Sequence, residues 1–515
     1  IYLTEYERGV GREKLQAADD LMETINSGTV LVSYMGHGNP TLWAHEHVFT
    51  QSRDLPKIER SRRLPLYIAF TCDWGYWDNP QTQSFPEQLF AMPGRGAIGT
   101  IASTRLTYSN SNSALAREFF RGVFGEPHIT IGEALAFAKH RAVFALGPTY
   151  HLFGDPSVYL ANPRMSGEFT KIEPYPLTPL AISEFQGSIL NNDGNNIVDF
   201  SGELEFRIED TGINRVYYIR WLDNDDNLHE DPLPYFIPGA KIYRGLYSIE
   251  DGEFKGNFVL PTDVTLGSSL GRMVGYYHNG KTDGAFVVDS VAFAEHAAVA
   301  IDTLPPEIDV FFNHRGYRSG DKIGQEPLLI VDLTDGSGLN LTGRMGHGIS
   351  ISIDGERALS LTGKFKYHLD SHTSGSLEKQ IGPISAGYHT AEIVAWDSFN
   401  NFAVQEIELE VVGEGDGLRV ERVLNWPNPF SSTTQLTFEV NRPVEFEVQI
   451  FTVGGRNIWS KNGSLNHPGL VTDIEWDGRD NAGDLVGNGV YLYKVTAFDE
   501  DGGKSEGLGR IAFVR

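Results

Sequence analysis

One cysteine, Cys72, stands in 515 residues. No disulfide can close within such a chain, so packing, hydrogen bonds or bound ions must hold it together. No apolar run reaches the roughly eighteen residues that a membrane-spanning helix requires. Positive charge is scarce: 42 Lys and Arg face 68 Asp and Glu, a formal net charge of −26. A surface this acidic repels phosphate backbones, which argues against nonspecific nucleic-acid binding and suits a secreted or surface protein. No leader segment can be read from the first residues. The chain opens on Ile1 and runs almost at once into an α/β pattern. The expectation is that earlier strands of this domain and any targeting signal lie upstream, so localisation cannot be read from a leader.

What is present describes an ordinary globular composition, with 40% apolar and 21% charged residues. A chain of this length exceeds what one hydrophobic core organises, and about three or four domains are expected. Residues 1–163 alternate helical and strand patterns. Leu15, Ala18, Leu21 and Ile25 fall at helical spacing, and Ser113–Phe124 and Gly132–Phe144 read as further helices. Thr29–Tyr34, Leu66–Phe70 and Gly96–Ala102 are short apolar runs of the kind found in a parallel, doubly wound sheet. After Asn162-Pro163 helical period disappears. Short alternating stretches are then broken by turns such as Asn191-Asn-Asp-Gly194, Asn279-Gly280 and Asp354-Gly355, the pattern of antiparallel β-sandwiches. Breaks at 301–306 and at Gly413–Gly417 divide this part, predicting domains over 164–304, 305–414 and 415–515.

Function in a doubly wound sheet collects at the C-terminal ends of the strands. One strand ends in Tyr34-Met-Gly-His37-Gly38 and the next in Thr71-Cys72-Asp-Trp-Gly75. If these strands are neighbours, their ends lie roughly 5–10 Å apart and bring an imidazole beside a thiol. A base to form thiolate, a thiolate to attack and N–H donors for the developing charge are what acyl transfer needs. His37 and Cys72 would be the catalytic pair, and the N–H groups of Gly38 and Cys72 the oxyanion donors. The alternative is a turn with a histidine in it and a cysteine that is simply a buried small hydrophobe. Gly346-His347-Gly348 repeats the tripeptide with no second cysteine to pair with it, and His347 reads as structural. Glu46 is a candidate to orient His37, or a packing carboxylate at a helix start. Asp73 and Trp74 are candidates to line the cleft, as are Thr104, Arg105 and Tyr108, unless Arg105 pairs with an acid. Asp223–Asn227 and Asp473–Asp484 lack the spacing of a calcium loop and read as solvated loops.

The succession Tyr34-Met-Gly-His-Gly38, Trp43-Ala-His-Glu46, Thr71-Cys-Asp-Trp-Gly75 and Leu152-Phe-Gly-Asp-Pro156 resembles the gingipain-like cysteine peptidases of family C25, in particular the sortases of type IX secretion. The resemblance continues through Ile301–Pro306, Asp332–Gly348, Ala395–Asn401 and Trp426-Pro-Asn-Pro-Phe430. It implies an α/β caspase/gingipain-like catalytic domain, incomplete at its N-terminus, followed by all-β immunoglobulin-like sandwich domains. His37 and Cys72 take the places of the family's histidine and nucleophile, and Gly38 that of an oxyanion donor. Such sortases cut C-terminal sorting domains from secreted cargo and transfer the cargo through a thioester to a lipopolysaccharide amine, with no metal or cofactor. They act at the cell surface, held to an outer-membrane barrel partner of PorV type by a last domain that here resembles the FlgD-like module. Gly154-Asp155-Pro156 reads as a tight turn into a final strand. The rival readings are a secreted endopeptidase of broader action and a non-enzymatic surface scaffold with an unreactive Cys72.

Overall fold

The computed structural model describes the chain except for residues 10, 12, 126–128, 143–148, 164, 192, 223–227, 266–269, 296–300, 344–345, 414–416 and 501. Asp223–Asn227 therefore lies outside the described residues. Two compact units emerge, Ile1–Pro163 and Arg164–Arg515.

In the first unit, α1 (Leu15–Ser27) buries Ala18, Met22 and Ile25 on one face. The strands β1 (Leu31–Met35), β5 (Leu66–Phe70), β6 (Gly99–Ser103) and β7 (Tyr150–Gly154) form one sheet in the order β1-β5-β6-β7. Between β1 and β5 lie a small meander, β2 (Gly38–Asn39), β3 (Leu42–Trp43) and β4 (Phe49–Thr50), and the one-turn α2 (Gln51–Asp54). The helix α3 (Phe85–Ala91) begins at a Ser84–Glu87 capping box, which satisfies N–H groups at its open end. The chain then continues through α4 (Ser109–Gly125) and α5 (Ile131–Arg141) to β7. All five residues of β5 are buried, and alternation splits them between two cores. Tyr67 and Ala69 pack in a core with Met22 and Ile25 of α1 and with Phe85 and Leu89 of α3. Leu66, Ile68 and Phe70 pack in a second core with side chains of α4 and α5. A strand covered on both faces reads as a continuous apolar run, which is why β5 is visible in the sequence.

Three details depart from expectation. β1, β5 and β6 are mutually parallel, but β7 runs antiparallel to β6, because the α4–α5 pair returns the chain from the opposite end. The link from β1 to β5 is the meander and not a covering helix. Gly154 closes β7, so Asp155-Pro156 leaves a strand instead of entering one. The last helix ends at Arg141, and Val143 and Phe144 lie outside the described residues.

The second unit is all β. Its first sheet has seven strands, and a bridge between Met165 and Gly284 joins its two outermost strands. The sheet thus curls around Phe185, Phe206, Tyr247, Phe254 and Phe286. Glycine makes room for these rings: a Cβ at Gly256 would lie 2.1 Å from the Tyr247 ring. Residues 307–411 form a sandwich of four- and five-stranded sheets. Its core is continuous with that of the seven-stranded sheet through Tyr243 and Tyr367, whose rings stack at 5.2 Å. Residues 420–513 form a last sandwich of three- and four-stranded sheets, with a separate core around Phe438, Trp476 and Tyr493.

Three carboxyls meet at the middle sandwich, two of them buried. Asp302, Asp335 and Asp397 present oxygens within 4.8 Å of one another. Burial pushes Asp335 up to about 6, against the hydrogen bonds it accepts from Ser337. A carboxyl raised in the folded state binds more protons than in the unfolded chain, so stability falls as pH rises from near 3.8 through 6. Asp335→Asn is therefore expected to stabilise the protein by about 1–3 kcal/mol at pH 7.5 and by nothing at pH 3.5. Urea denaturation at the two pH values, in chelator, measures this. An equal effect at both would remove the titration argument.

Candidate active site

The parallel register pairs Met35 of β1 with Phe70 of β5, so both strands end at one level. His37 and Cys72 each stand two residues beyond. The two loops pack directly: a Cβ on Gly38 would lie 2.7 Å from Thr71 Oγ1, next to Cys72 in the chain. Only glycine permits this approach.

The His37 loop is pinned by its main chain. The His37 carbonyl accepts the Tyr34 hydroxyl at 2.7 Å and the Ala44 N–H at 2.8 Å. Tyr34 is itself stacked on buried Trp43 at 4.8 Å. Because Ala44 bonds back to His37, the next antiparallel pair, Gly38 with Trp43, is of the non-hydrogen-bonded kind. Its N–H groups point away from the hairpin, which leaves the Gly38 N–H directed outward. The His37 ring is exposed and faces His45, with centroids 5.4 Å apart.

Glu46 is not brought to His37: among the described residues no hydrogen bond joins them. The Glu46 main chain anchors Lys14, and its charge acts on Tyr34, whose hydroxyl burial and Glu46 together push up. Trp74 is a correction. It is fully buried, packed on Trp43 at 4.9 Å and Phe85 at 5.7 Å, so it belongs to the core beneath the loop and cannot line a cleft. Asp73 explains why. Its φ of 50° lies in the left-handed region and turns the chain inward after Cys72. The Asp73 carboxyl is half-buried, and burial raises it while Arg105 opposes. Arg105 pairs with Asp78 through two hydrogen bonds of 2.9 and 2.5 Å. Thr104 is buried, while Tyr108 is exposed.

Cys72 is half-buried, and its sulfur meets residues that sequence reasoning missed. The Thr107 N–H donates to Sγ at 3.4 Å, the thiol is 3.4 Å from the Thr107 carbonyl, and Thr107 Oγ1 lies at 3.8 Å. No hydrogen bond joins Cys72 to His37 among the described residues. Behind Thr107 stand buried Asn112 and Tyr150. Thr107 lies in an irregular polar stretch and Asn112 on a helix, and no spacing marks either as a partner of Cys72. His347 is tied to Asp263 at 2.6 Å and lies against Trp396 at 4.5 Å, all within the second unit. The only acidic cluster close enough to share a cation among the described residues is Asp302, Asp335 and Asp397, also in the second unit.

The parallel sheet delivers a histidine and a cysteine from adjacent strand ends. Residues 1–161 match the model of peptidase family C25. Among solved structures, the chain is similar to dimeric latent PorU from Porphyromonas gingivalis, with 25% identity, 81% of this chain and 41% of that chain covered, and a TM-score of 0.33. The chain thus spans less than half of the PorU chain. It is also similar to fibronectin(III)-like modules of Clostridium thermocellum CbhA, at 12% identity over 40% of this chain and 93% of that one, with a TM-score of 0.16. No curated protein matches.

Proposed function

We propose that this protein is a cell-surface sortase of the C25 type. It cleaves C-terminal sorting domains from type IX secretion cargo and passes the cargo to a lipopolysaccharide amine. The observation that carries the reading is the β1–β5 register, which sets the Gly-His-Gly loop against Thr71-Cys72. The motifs shared with type IX sortases, which run on through the β domains to Phe430, support the finer assignment.

In this mechanism His37 takes the Cys72 proton and the thiolate attacks the scissile carbonyl carbon. The N–H groups of Gly38 and Cys72 receive the oxyanion. As the C–N bond breaks, His37 returns the proton to the leaving amine and a thioester remains on Cys72. The acceptor amine then attacks the thioester, the C–S bond breaks, and the thiol is restored. Asp73 borders the nucleophile. The last sandwich would dock an outer-membrane barrel partner of PorV type.

The test is Cys72→Ala in the complete protein in its own cell, read by the mass of secreted cargo. Cargo is expected to keep its C-terminal domain and to lose the lipid-linked mass increase. Cargo of normal mass would end the sortase reading. Cargo that is trimmed but never lipid-linked in the wild type would favour a peptidase of broader action.

A further inference from the structure

The thiol sits in a hydrogen-bonded pocket that the His–Cys scheme does not use. Asn112 is 5% exposed and every polar atom of its amide is engaged. Its Nδ2 donates to the Phe70 carbonyl at 3.2 Å and to Thr107 Oγ1 at 2.9 Å, and its Oδ1 accepts the Tyr150 hydroxyl at 2.8 Å. An amide nitrogen can only donate, so this network fixes which way the Asn112 amide points. It also makes Thr107 Oγ1 an acceptor toward Asn112, leaving its single hydrogen for another partner. The Cys72 sulfur is in reach, 3.8 Å away. Phe70 is the last residue of β5, so Asn112 ties the pocket to the strand that presents Cys72.

We propose that Thr107 is a positioning residue for Cys72, its main-chain N–H and side-chain hydroxyl forming a seat that receives the sulfur as thiolate. The neutral thiol can donate to the Thr107 carbonyl. Once its proton has passed to His37, the sulfur is an acceptor alone. The Thr107 N–H already faces it at 3.4 Å, and the Thr107 hydroxyl can donate its hydrogen to the sulfur. Asn112 holds the oxygen of that hydroxyl in place. Hydrogen bonds to a charged acceptor are the stronger kind, so the seat favours thiolate over thiol. The inference rests on the reading of Cys72 as nucleophile, but its test reads the thiol directly.

Cys72 is the sole cysteine of the chain, so alkylation by iodoacetamide reports on it alone. Rates are measured across pH on the full chain. Thr107→Val keeps the shape and the N–H but removes the hydroxyl. It is expected to move the alkylation midpoint to higher pH, to slow the reaction about ten-fold near neutrality, and to leave the rate well above the midpoint unchanged. Thr107→Ser restores the wild-type profile. An unshifted Thr107→Val profile, or a fall equal at every pH, would overturn the seat. Should Thr107→Val not fold, Thr107→Ala carries the same expectation. Repeating Thr107→Val in a His37→Gln background separates the two proposals. A shift that persists there upholds the seat whether or not the protein proves to be a peptidase.

Discussion

Replacing Cys72 by Ala is expected to lower peptide-bond cleavage by at least about a thousand-fold, and adding His37→Ala to that variant to lower it no further. In the proposed mechanism the two groups act as one device. Without the thiol there is no acyl intermediate, so a base that would have activated it has nothing to act on. His37→Ala alone leaves the nucleophile but removes the acceptor of its proton, a loss of about 10²–10⁴ in rate. Cys72→Ser tests the same point from the other side. A hydroxyl ionises far less readily than a thiol, so a serine held against Thr107 and offered to the same imidazole should be nearly as slow as alanine. The fold should tolerate all three changes. His37 is exposed, and Cys72 is only half-buried and makes only weak sulfur contacts. The measurement is cleavage of a quenched fluorescent peptide spanning a cargo's sorting-domain boundary, with thermal melting as control. A His37→Ala protein with full activity would show that another group takes the proton. Full activity in Cys72→Ala would remove the cysteine mechanism entirely.

Much of the site was legible because of how parallel sheets are built. Apolar runs such as Leu66–Phe70 mark strands buried on both faces, and parallel neighbours end at a common edge. The residues just past two such runs therefore leave the sheet at one edge, while residue types alone left open whether His37 and Cys72 act as a pair. What lay one step further was not legible. Trp74 follows the nucleophile by two residues, yet the left-handed turn at Asp73 sends it into the core, and no composition signals that turn. Glu46 is near His37 in sequence, but no hydrogen bond joins them among the described residues, and its charge acts on Tyr34. Thr107 and Asn112 reach Cys72 only because α4 packs against the end of β5, a tertiary contact that leaves no periodic trace. The same limit applies to the β region. Alternation predicted strands, but it could not foresee that residues 164–304 and 305–414 would share one core.

That shared core makes Tyr243→Ala the most destabilising single change expected here, at about 3–5 kcal/mol. Tyr243 is 1% exposed and lies in the seven-stranded sheet. Its ring stacks on Tyr367 of the following sandwich at 5.2 Å, with planes 20° apart. Its hydroxyl is bonded as well. Tyr247 donates to the Asn257 carbonyl at 2.6 Å, so Tyr243 must be the donor in the 2.6 Å bond between the two tyrosines. Truncation would therefore leave a cavity and remove that bond at once. Because the cavity opens between two sheets, the damage should not stay in one of them. Guanidinium denaturation of the full chain should show the same loss whether it is followed through hydrogen exchange of Gly202–Glu209 or of Leu328–Thr334, one strand from each side. Tyr367→Ala should cost a similar amount. The double variant should cost less than the sum by about 0.5–1.5 kcal/mol, the energy of the stacked pair itself. If Tyr243→Ala unprotects the first strand and leaves the second at wild-type stability, the rings only touch, and the two regions are separate folding units. If both fall together, the tyrosine pair is what turns two stretches of alternating sequence into one cooperative body.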